Sequence, residues 1–397
     1  MDICPYCKKP ITNARKALTA HGNIICVPCV NRFYKFVQDN DLDKFDLEME
    51  DIPTPKEIKN CLDESVIGQE RAKKVLSVSV YNHYKRLMDQ SCMIEKSNIL
   101  MVGPTGCGKT HMIRTLAETL HVPFVIADAT SLTEAGYVGD DVESVLARLL
   151  KSADGNLEAA ERGIVYIDEI DKISKRNGVN TTRDISGEGV QQALLKIIEG
   201  SEISIPADGM HKTPGGTTVM MDTSNILFIC GGAFEGMLNL EDKGTFGFSP
   251  VSNTKDSEPA KKELTPEVLI EYGLTPEFVG RLPVLVTLDA MNKEFLVRIL
   301  TEPKMAVTKQ YKRLLEMDGV QLVFDKDALE EIAELSLKRN TGARGLRSIL
   351  EDIMTDIMFE IPGDRSIKKV VITKDSVHSK VPRLIRKSEN ARTRKTG

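Results

Sequence analysis

Short apolar runs alternate with amphipathic stretches through the middle of this 397-residue chain, and the apolar spacing becomes helical toward its end. Aliphatic and β-branched runs at 99–102, 122–127, 163–169, 225–230 and 284–288 have the length and character of buried strands. Segments of 3.6-residue period, such as 111–120 and 190–199, lie between them. This alternation predicts an α/β domain with a parallel sheet flanked by helices. From Asn292 onward the pattern is helical at 295–300, 304–315, 326–339 and 344–359, closing with a short strand at 369–372. A second, small, mainly α-helical domain is therefore expected.

Length and charge narrow the class. A chain of this size divides into two or three domains. Its 58 acidic and 53 basic residues leave a net charge of -5, which argues against a general nucleic-acid-binding surface. It has no apolar run of membrane-spanning length, and Met1-Asp2-Ile3-Cys4 lacks the basic and apolar regions of a signal peptide. A soluble, cytoplasmic protein with no membrane partner is expected. Asp39, Asp41, Asp43, Asp46, Glu48, Glu50 and Asp51, closed by Pro53-Thr54-Pro55, read as a flexible acidic linker over 39–55. Arg383, Arg386, Lys387, Arg392, Arg394 and Lys395 mark 381–397 as a basic tail, expected to be disordered and solubilising, with contact to nucleic acid or an acidic partner as the alternative.

Two Cys-x-x-Cys pairs, Cys4/Cys7 and Cys26/Cys29, stand eighteen residues apart. That spacing suits a closed tetrahedral Zn²⁺ site, structural rather than catalytic because no coordination position stays open. A redox pair is the alternative, disfavoured by the second pair and by the lack of a βαβ setting. Residues 1–38 are then a zinc-binding module that folds around its metal. The apolar run that follows Cys29 either closes the module or buries a dimer face. Cys61, Cys92, Cys107 and Cys230 are scattered.

The chemistry begins at Gly103-Pro104-Thr105-Gly106-Cys107-Gly108-Lys109-Thr110, a G-x-x-x-x-G-K-T phosphate loop set between a strand and a helix. Its backbone amides and the helix N-terminus face phosphate oxygens, Lys109 reaches the β- and γ-phosphates, and Thr110 ligates Mg²⁺. Downstream, Ile164-Val165-Tyr166-Ile167 leads into Asp168-Glu169. Asp168 is expected to hold the metal's hydration shell, and Glu169, on the other side of the pleat, to activate the attacking water. An Asp-Glu pair capping a helix is the bland alternative. ATP hydrolysis is the expected reaction.

Five further segments occur in order: Ile67-Gly68-Gln69, Gly136-Tyr137-Val138-Gly139, Arg183-Asp184-Ile185-Ser186-Gly187-Glu188-Gly189-Val190, Gly280-Arg281-Leu282-Pro283 and Thr341-Gly342-Ala343-Arg344-Gly345-Leu346-Arg347. Attached to a four-cysteine module, they resemble the ClpX family of AAA+ protein unfoldases from that module to about residue 375, interrupted by the linker and by 236–262. The resemblance implies a homo-hexameric, ATP- and Mg²⁺-dependent unfoldase that feeds unfolded or tagged proteins, with their adaptors, to a ClpP-like peptidase. It implies an AAA+ large domain at 56–290 and a small domain at 291–380. Arg281 becomes the finger that reaches a neighbouring subunit's γ-phosphate, worth about 10³–10⁵ in rate. Arg344 becomes the second sensor arginine, and Val66 and Ile67 either wall the adenine or simply pack in the core.

The same resemblance makes Tyr137 and Val138 a pore loop that grips polypeptide, where residue chemistry alone leaves open a tyrosine packed on its own subunit. Arg183, in the polar loop 174–186, is a second gripping candidate, against a plain solvated loop. Asp222 to Asn225 would lie near the first sensor. Two departures from the family pattern stand out. Met210-His211-Lys212 replaces an Arg-Lys-His run at the pore mouth, and Phe246-Gly247-Phe248 replaces an aliphatic-Gly-Phe peptidase-docking loop. A phenylalanine still suits an apolar pocket but is bulkier. The rival class is a nucleic-acid motor, which also combines AAA+ modules with zinc knuckles.

Overall fold

The computed structural model describes residues 3–11, 17–20, 23–39, 52–89, 93–133, 140–174, 187–206, 218–237, 264–364 and 366–386. The chain divides into two compact units, residues 1–48 and 49–397. In the first, strands β1 (Ala17–Ala20) and β2 (Asn23–Cys26) pair antiparallel and helix α1 (Val27–Asp39) follows directly. Cys26 ends β2 and Cys29 lies in the first turn of α1, while Cys4 and Cys7 sit in a turn closed by the Cys4 N–H to Lys9 carbonyl bond of 3.0 Å. Among the described residues, the core of this unit is the cysteines themselves, with Ile11 and Ile25 against them.

The second unit opens with α2 (Pro55–Ser65) and α3 (Glu70–Leu87). A capping box starts α2: Thr54 Oγ1 accepts from the Glu57 amide and Glu57 Oε2 accepts from the Thr54 amide at 2.8 Å. The expected linker over 39–55 is thus shorter at both ends. Asp39 belongs to α1, Ile52 is buried, and Pro55 is already helical.

Then come β3 (Ile99–Val102), α4 (Lys109–Leu120), β4 (Phe124–Asp128), β5 (Leu132–Thr133), β6 (Asp140–Asp141), α5 (Val142–Ser152), α6 (Leu157–Glu161) and β7 (Ile164–Asp168). They are followed by α7 (Gly187–Glu199), the antiparallel pair β8 (Glu202–Pro206) and β9 (Thr218–Asp222), β10 (Leu227–Gly232), α8 (Pro266–Tyr272), α9 (Pro276–Gly280) and β11 (Val284–Thr287). Five strands form one parallel sheet in the order β11-β3-β10-β7-β4. Central strands β3 and β10 are buried along their whole length, as their unbroken apolar runs require. Leu100, Val165, Ile167 and Phe228 pack against Val145, Leu149, Leu194 and Ile198 of the covering helices.

A smaller layer completes the unit: α10 (Lys293–Thr301), α11 (Val307–Met317), β12 (Gln321–Phe324), α12 (Lys326–Lys338), α13 (Gly342–Glu360), β13 (Ile367–Ile372), α14 (Lys374–Ser379) and β14 (Arg383–Arg386). Its helices bury Leu296, Leu300, Ile332, Leu350, Ile353 and Met354 in a core that also holds Val370 and Ile372. The sequence pattern predicts only one strand here, but the structure forms a three-stranded sheet, β12-β13-β14. The basic tail expected from 381 is corrected accordingly. Arg383 pairs with Val371 and Leu384 with Val370, because β13 offers backbone groups that a charge pattern does not reveal, and Arg386 meets Asp364 at 3.4 Å. The remainder, 387–397, lies outside the described residues.

Candidate functional site

Strand β3 ends at Val102, and the loop that follows is tied to the neighbouring strand by the Gly103 N–H to Gly232 carbonyl bond of 3.2 Å. Gly108, at φ 101°, turns the chain into α4 in a conformation that side chains resist, so the amides of the helix N-terminus face the loop. Lys109 is buried, and its ammonium donates to the Gly103 carbonyl at 2.6 Å and the Pro104 carbonyl at 3.2 Å. The loop therefore carries its one cation on a short leash.

Since β3, β10 and β7 run parallel, their C-terminal ends open on one side. Asp168 closes β7 there. Its Oδ2 accepts from Thr110 Oγ1 at 2.8 Å, and its Oδ1 accepts from the Tyr166 hydroxyl at 3.1 Å and the Glu169 amide at 3.0 Å. Pleat alternation, expected to deliver Glu169, does not do so. The strand has ended and Glu169 is in the left-handed region at φ 58°, starting a short 3₁₀ turn. A left-handed non-glycine residue costs about 1–2 kcal/mol, and such strain gathers at functional sites.

Thr105, Gly106, Gly108, Lys109 and Thr110 from the loop meet Asp168 and Glu169 around a cavity of about 260 Å³. The small layer closes it with Ala343 and Arg344 of α13. The approach is backbone to backbone: the Ala343 amide donates to the Gly106 carbonyl at 3.1 Å, and a methyl group on Gly106 would overlap the Thr341 carbonyl. Gly103, Pro104 and Cys107 do not line the cavity wall, and burial pushes the Cys107 thiol up. Val66 and Ile67 are buried and also lie off this wall.

Arg281 is at the other end of the molecule's sheet. Its carbonyl accepts from Asn98 Nδ2 at 3.0 Å, just before β3 begins, while its exposed side chain pairs with Glu199 at 2.9 Å. Asp222 to Asn225 likewise precede β10 at its N-terminal end, so the segment expected near the first sensor is remote from the phosphate loop. The residue that reaches the cavity from β10's far end is Ala233.

In the N-terminal unit, the four Sγ atoms of Cys4, Cys7, Cys26 and Cys29 all lie within 4.8 Å of one another, with Cys7 and Cys26 at 3.6 Å. Metal–sulfur bonds of about 2.3 Å in a tetrahedron put sulfurs about 3.8 Å apart, so the donor set fits one metal ion. Backbone amides of Cys26 and Cys7 hold the Cys4 thiol down at about 6, whereas burial and then the neighbouring sulfurs push Cys29 up to about 12. Ionising all four together would need a cation to share their charge.

Two family models match in tandem: the AAA domain (Cdc48 subfamily) over residues 94–285, and the C-terminal, D2-small domain of ClpB protein over 291–373. The "ATP-dependent Clp protease ATP-binding subunit ClpX" of Borrelia duttonii is 50% identical over 391 residues, covering 95% of this chain and 91% of that protein. The protein of the same name from Treponema denticola is 47% identical over 395 residues, covering 94% of each. The chain belongs to the ClpX family.

As a ClpX-family chain it carries an AAA+ ATPase domain with a parallel five-stranded sheet, a helical C-terminal domain and an N-terminal cysteine cluster. The expected gripping residues Tyr137, Val138 and Arg183, and the two segments that depart from the family pattern, Met210-His211-Lys212 and Phe246-Gly247-Phe248, lie outside the described residues. Motif reading missed His111, Asp171, Lys172 and Ala233, which also line the cavity. His111 adjoins the phosphate loop, and Asp171 and Lys172 follow within three residues of Glu169. Asp171 is 3% exposed and its Oδ1 accepts from the Ala233 amide at 3.0 Å, which ties the turn after β7 to the end of β10. No helix among the described residues is long and apolar enough to cross a membrane.

Proposed function

We propose that this chain is an ATP-driven unfoldase and translocase that threads substrate proteins through a ring pore and delivers them to a ClpP-like peptidase. The observation that carries the reading is the meeting of Lys109, Thr110, Asp168, Glu169 and Arg344 on one cavity, in a chain whose relatives are named ATP-binding subunits of Clp protease. The phosphate-loop residues and Lys109 on its walls suit the triphosphate end of ATP. Val66 and Ile67 form the adenine wall beyond it.

Thr110 and Asp168, already paired through their oxygens, hold Mg²⁺. Magnesium, when bound, neutralises charge that develops on the phosphates. Lys109 leaves its loop carbonyls for the β- and γ-phosphates, and Glu169 orients the attacking water and takes its proton. Arg344 reports the nucleotide's state to the small domain. Arg281, remote from its own phosphate loop and exposed, serves the neighbouring site, which requires an oligomer, a homo-hexamer by the family's pattern. Movement between the domains at 56–290 and from 291 is passed to Tyr137, Val138 and Arg183, which grip the polypeptide. Phe246-Gly247-Phe248 docks the peptidase. The cysteines hold a structural Zn²⁺ in a module that recruits substrates or adaptors, and the protein works in the cytoplasm.

Glu169→Gln tests the reading. The variant should bind ATP, lose turnover by about 10²–10⁴-fold, and retain a tagged fluorescent protein and the peptidase in a pull-down. Stimulation of wild-type ATPase by single-stranded DNA rather than by unfolded protein would instead favour the nucleic-acid motor.

A further inference from the structure

We infer that Tyr166 is a positioning residue of the ATPase site, holding Asp168 so that Oδ2 alone is presented to the Thr110 side; the inference rests on the magnesium reading above. Residues 166 and 168 are two apart on β7 and share a face of the sheet. Tyr166 is 0% exposed, and its hydroxyl donates to Asp168 Oδ1 at 3.1 Å. The Glu169 amide donates to the same oxygen, so the two acceptors of Asp168 are divided: Oδ1 to its own strand, Oδ2 to Thr110. A carboxylate free to rotate would mix these roles.

The neighbouring strand makes room for that hydroxyl. Across from β7, β10 is lined by bulky residues up to Cys230 and then turns to Gly231, where a methyl group would overlap the Tyr166 oxygen. A tyrosine that only filled the core would need no such slot, because phenylalanine fills the same volume. Donor, slot and acceptor are thus built together. Partners one step behind a metal ligand set its orientation and are worth about 10–100-fold in metal affinity.

Tyr166→Phe removes one oxygen. Mn²⁺ affinity would be titrated by paramagnetic resonance with a slowly hydrolysed ATP analogue bound, alongside affinity for a fluorescent ATP analogue in chelator and the thermal midpoint. We expect Mn²⁺ affinity to fall about 10–100-fold with metal-free nucleotide affinity and midpoint unchanged. Gly231→Ala, which displaces the hydroxyl by crowding, should produce the same loss, and the double variant no more than either alone. Unchanged Mn²⁺ affinity in both variants overturns the inference, as does an equal fall in metal-free nucleotide affinity. Asp168→Asn is the control for the underlying reading: if it too leaves Mn²⁺ affinity unchanged, the magnesium site itself is wrong and takes the inference with it.

Discussion

The side-chain amide of Gln69 and the backbone of Asp289 bond reciprocally, Nε2 donating to the Asp289 carbonyl and the Asp289 amide donating to Oε1, both at 2.9 Å. Gln69 precedes α3 in a left-handed conformation and is buried, while Asp289 lies on the short connection from β11 to α10. A segment next to the proposed adenine wall therefore clamps the chain where the large domain passes to the small one. Phe295 of α10 packs over Gly68 beside it, and Lys304 reaches back to Glu64 at 2.6 Å.

Gln69→Ala should destabilise the protein by about 1–3 kcal/mol, since it removes two part-buried hydrogen bonds worth about 0.5–1.5 kcal/mol each. The thermal midpoint should fall, and Gln69→Asn, one methylene too short to close both bonds, should fall nearly as far. A midpoint equal to wild type for both would show that the pair bears no weight.

Arg281→Ala should fold, because its exposed pair with Glu199 is worth about 0–1 kcal/mol. ATPase should nevertheless fall about 10³–10⁵-fold. Mixing this variant with Lys109→Ala should restore part of the activity, since each chain supplies what its neighbour lacks. If neither the fall nor the recovery occurs, the arginine does not act across a subunit boundary.

Removing metal from the cysteine centre should melt residues 1–48 and spare the ATPase unit, as the two units are separately compact. Chelator treatment and Cys26→Ser should both make the N-terminal unit protease-sensitive while nucleotide turnover persists. A folded module without metal would rule out a structural ion.

His83 predicts an acid response. Burial, then the positive charges of Arg86 and Lys96, lower its imidazole to about 3 in the folded protein against an ordinary 6.5. The unfolded chain therefore takes up a proton that the folded one refuses. Stability from this group is complete above about pH 6.5 and declines as pH falls toward about 3. His83→Phe should flatten that decline between pH 6.5 and 4.5 in thermal scans; an unaltered slope would exclude His83 as its source.

Much of the ATPase site was legible because its parts are contiguous in sequence. Gly103 to Thr110 and Asp168-Glu169 announce themselves by spacing, and their flanking apolar runs became β3, α4 and β7. Less legible was whatever depends on pairing across the chain. The strand β14 looked like part of a basic tail because charge says nothing of the backbone partner that β13 provides. Asp171 and Ala233 are 62 residues apart, and only the adjacency of β7 and β10 brings their hydrogen bond into the cavity. Glu169 lines the cavity, but the left-handed turn that takes it there is a backbone fact with no residue signature.

Sequence by itself determined the chemistry: local patterns specify strand, loop and helix, and residue types at fixed spacing specify a phosphate loop, two acids and four thiols. Tertiary structure decided the assembly of those parts. Strand order brought Asp168 beside Thr110, the slot at Gly231 admitted the Tyr166 hydroxyl, and the approach of Gly342 to Gly106 put Arg344 on the wall. These relationships span from 58 to more than 230 residues, and they arise from packing and sheet register, which no local window of sequence contains.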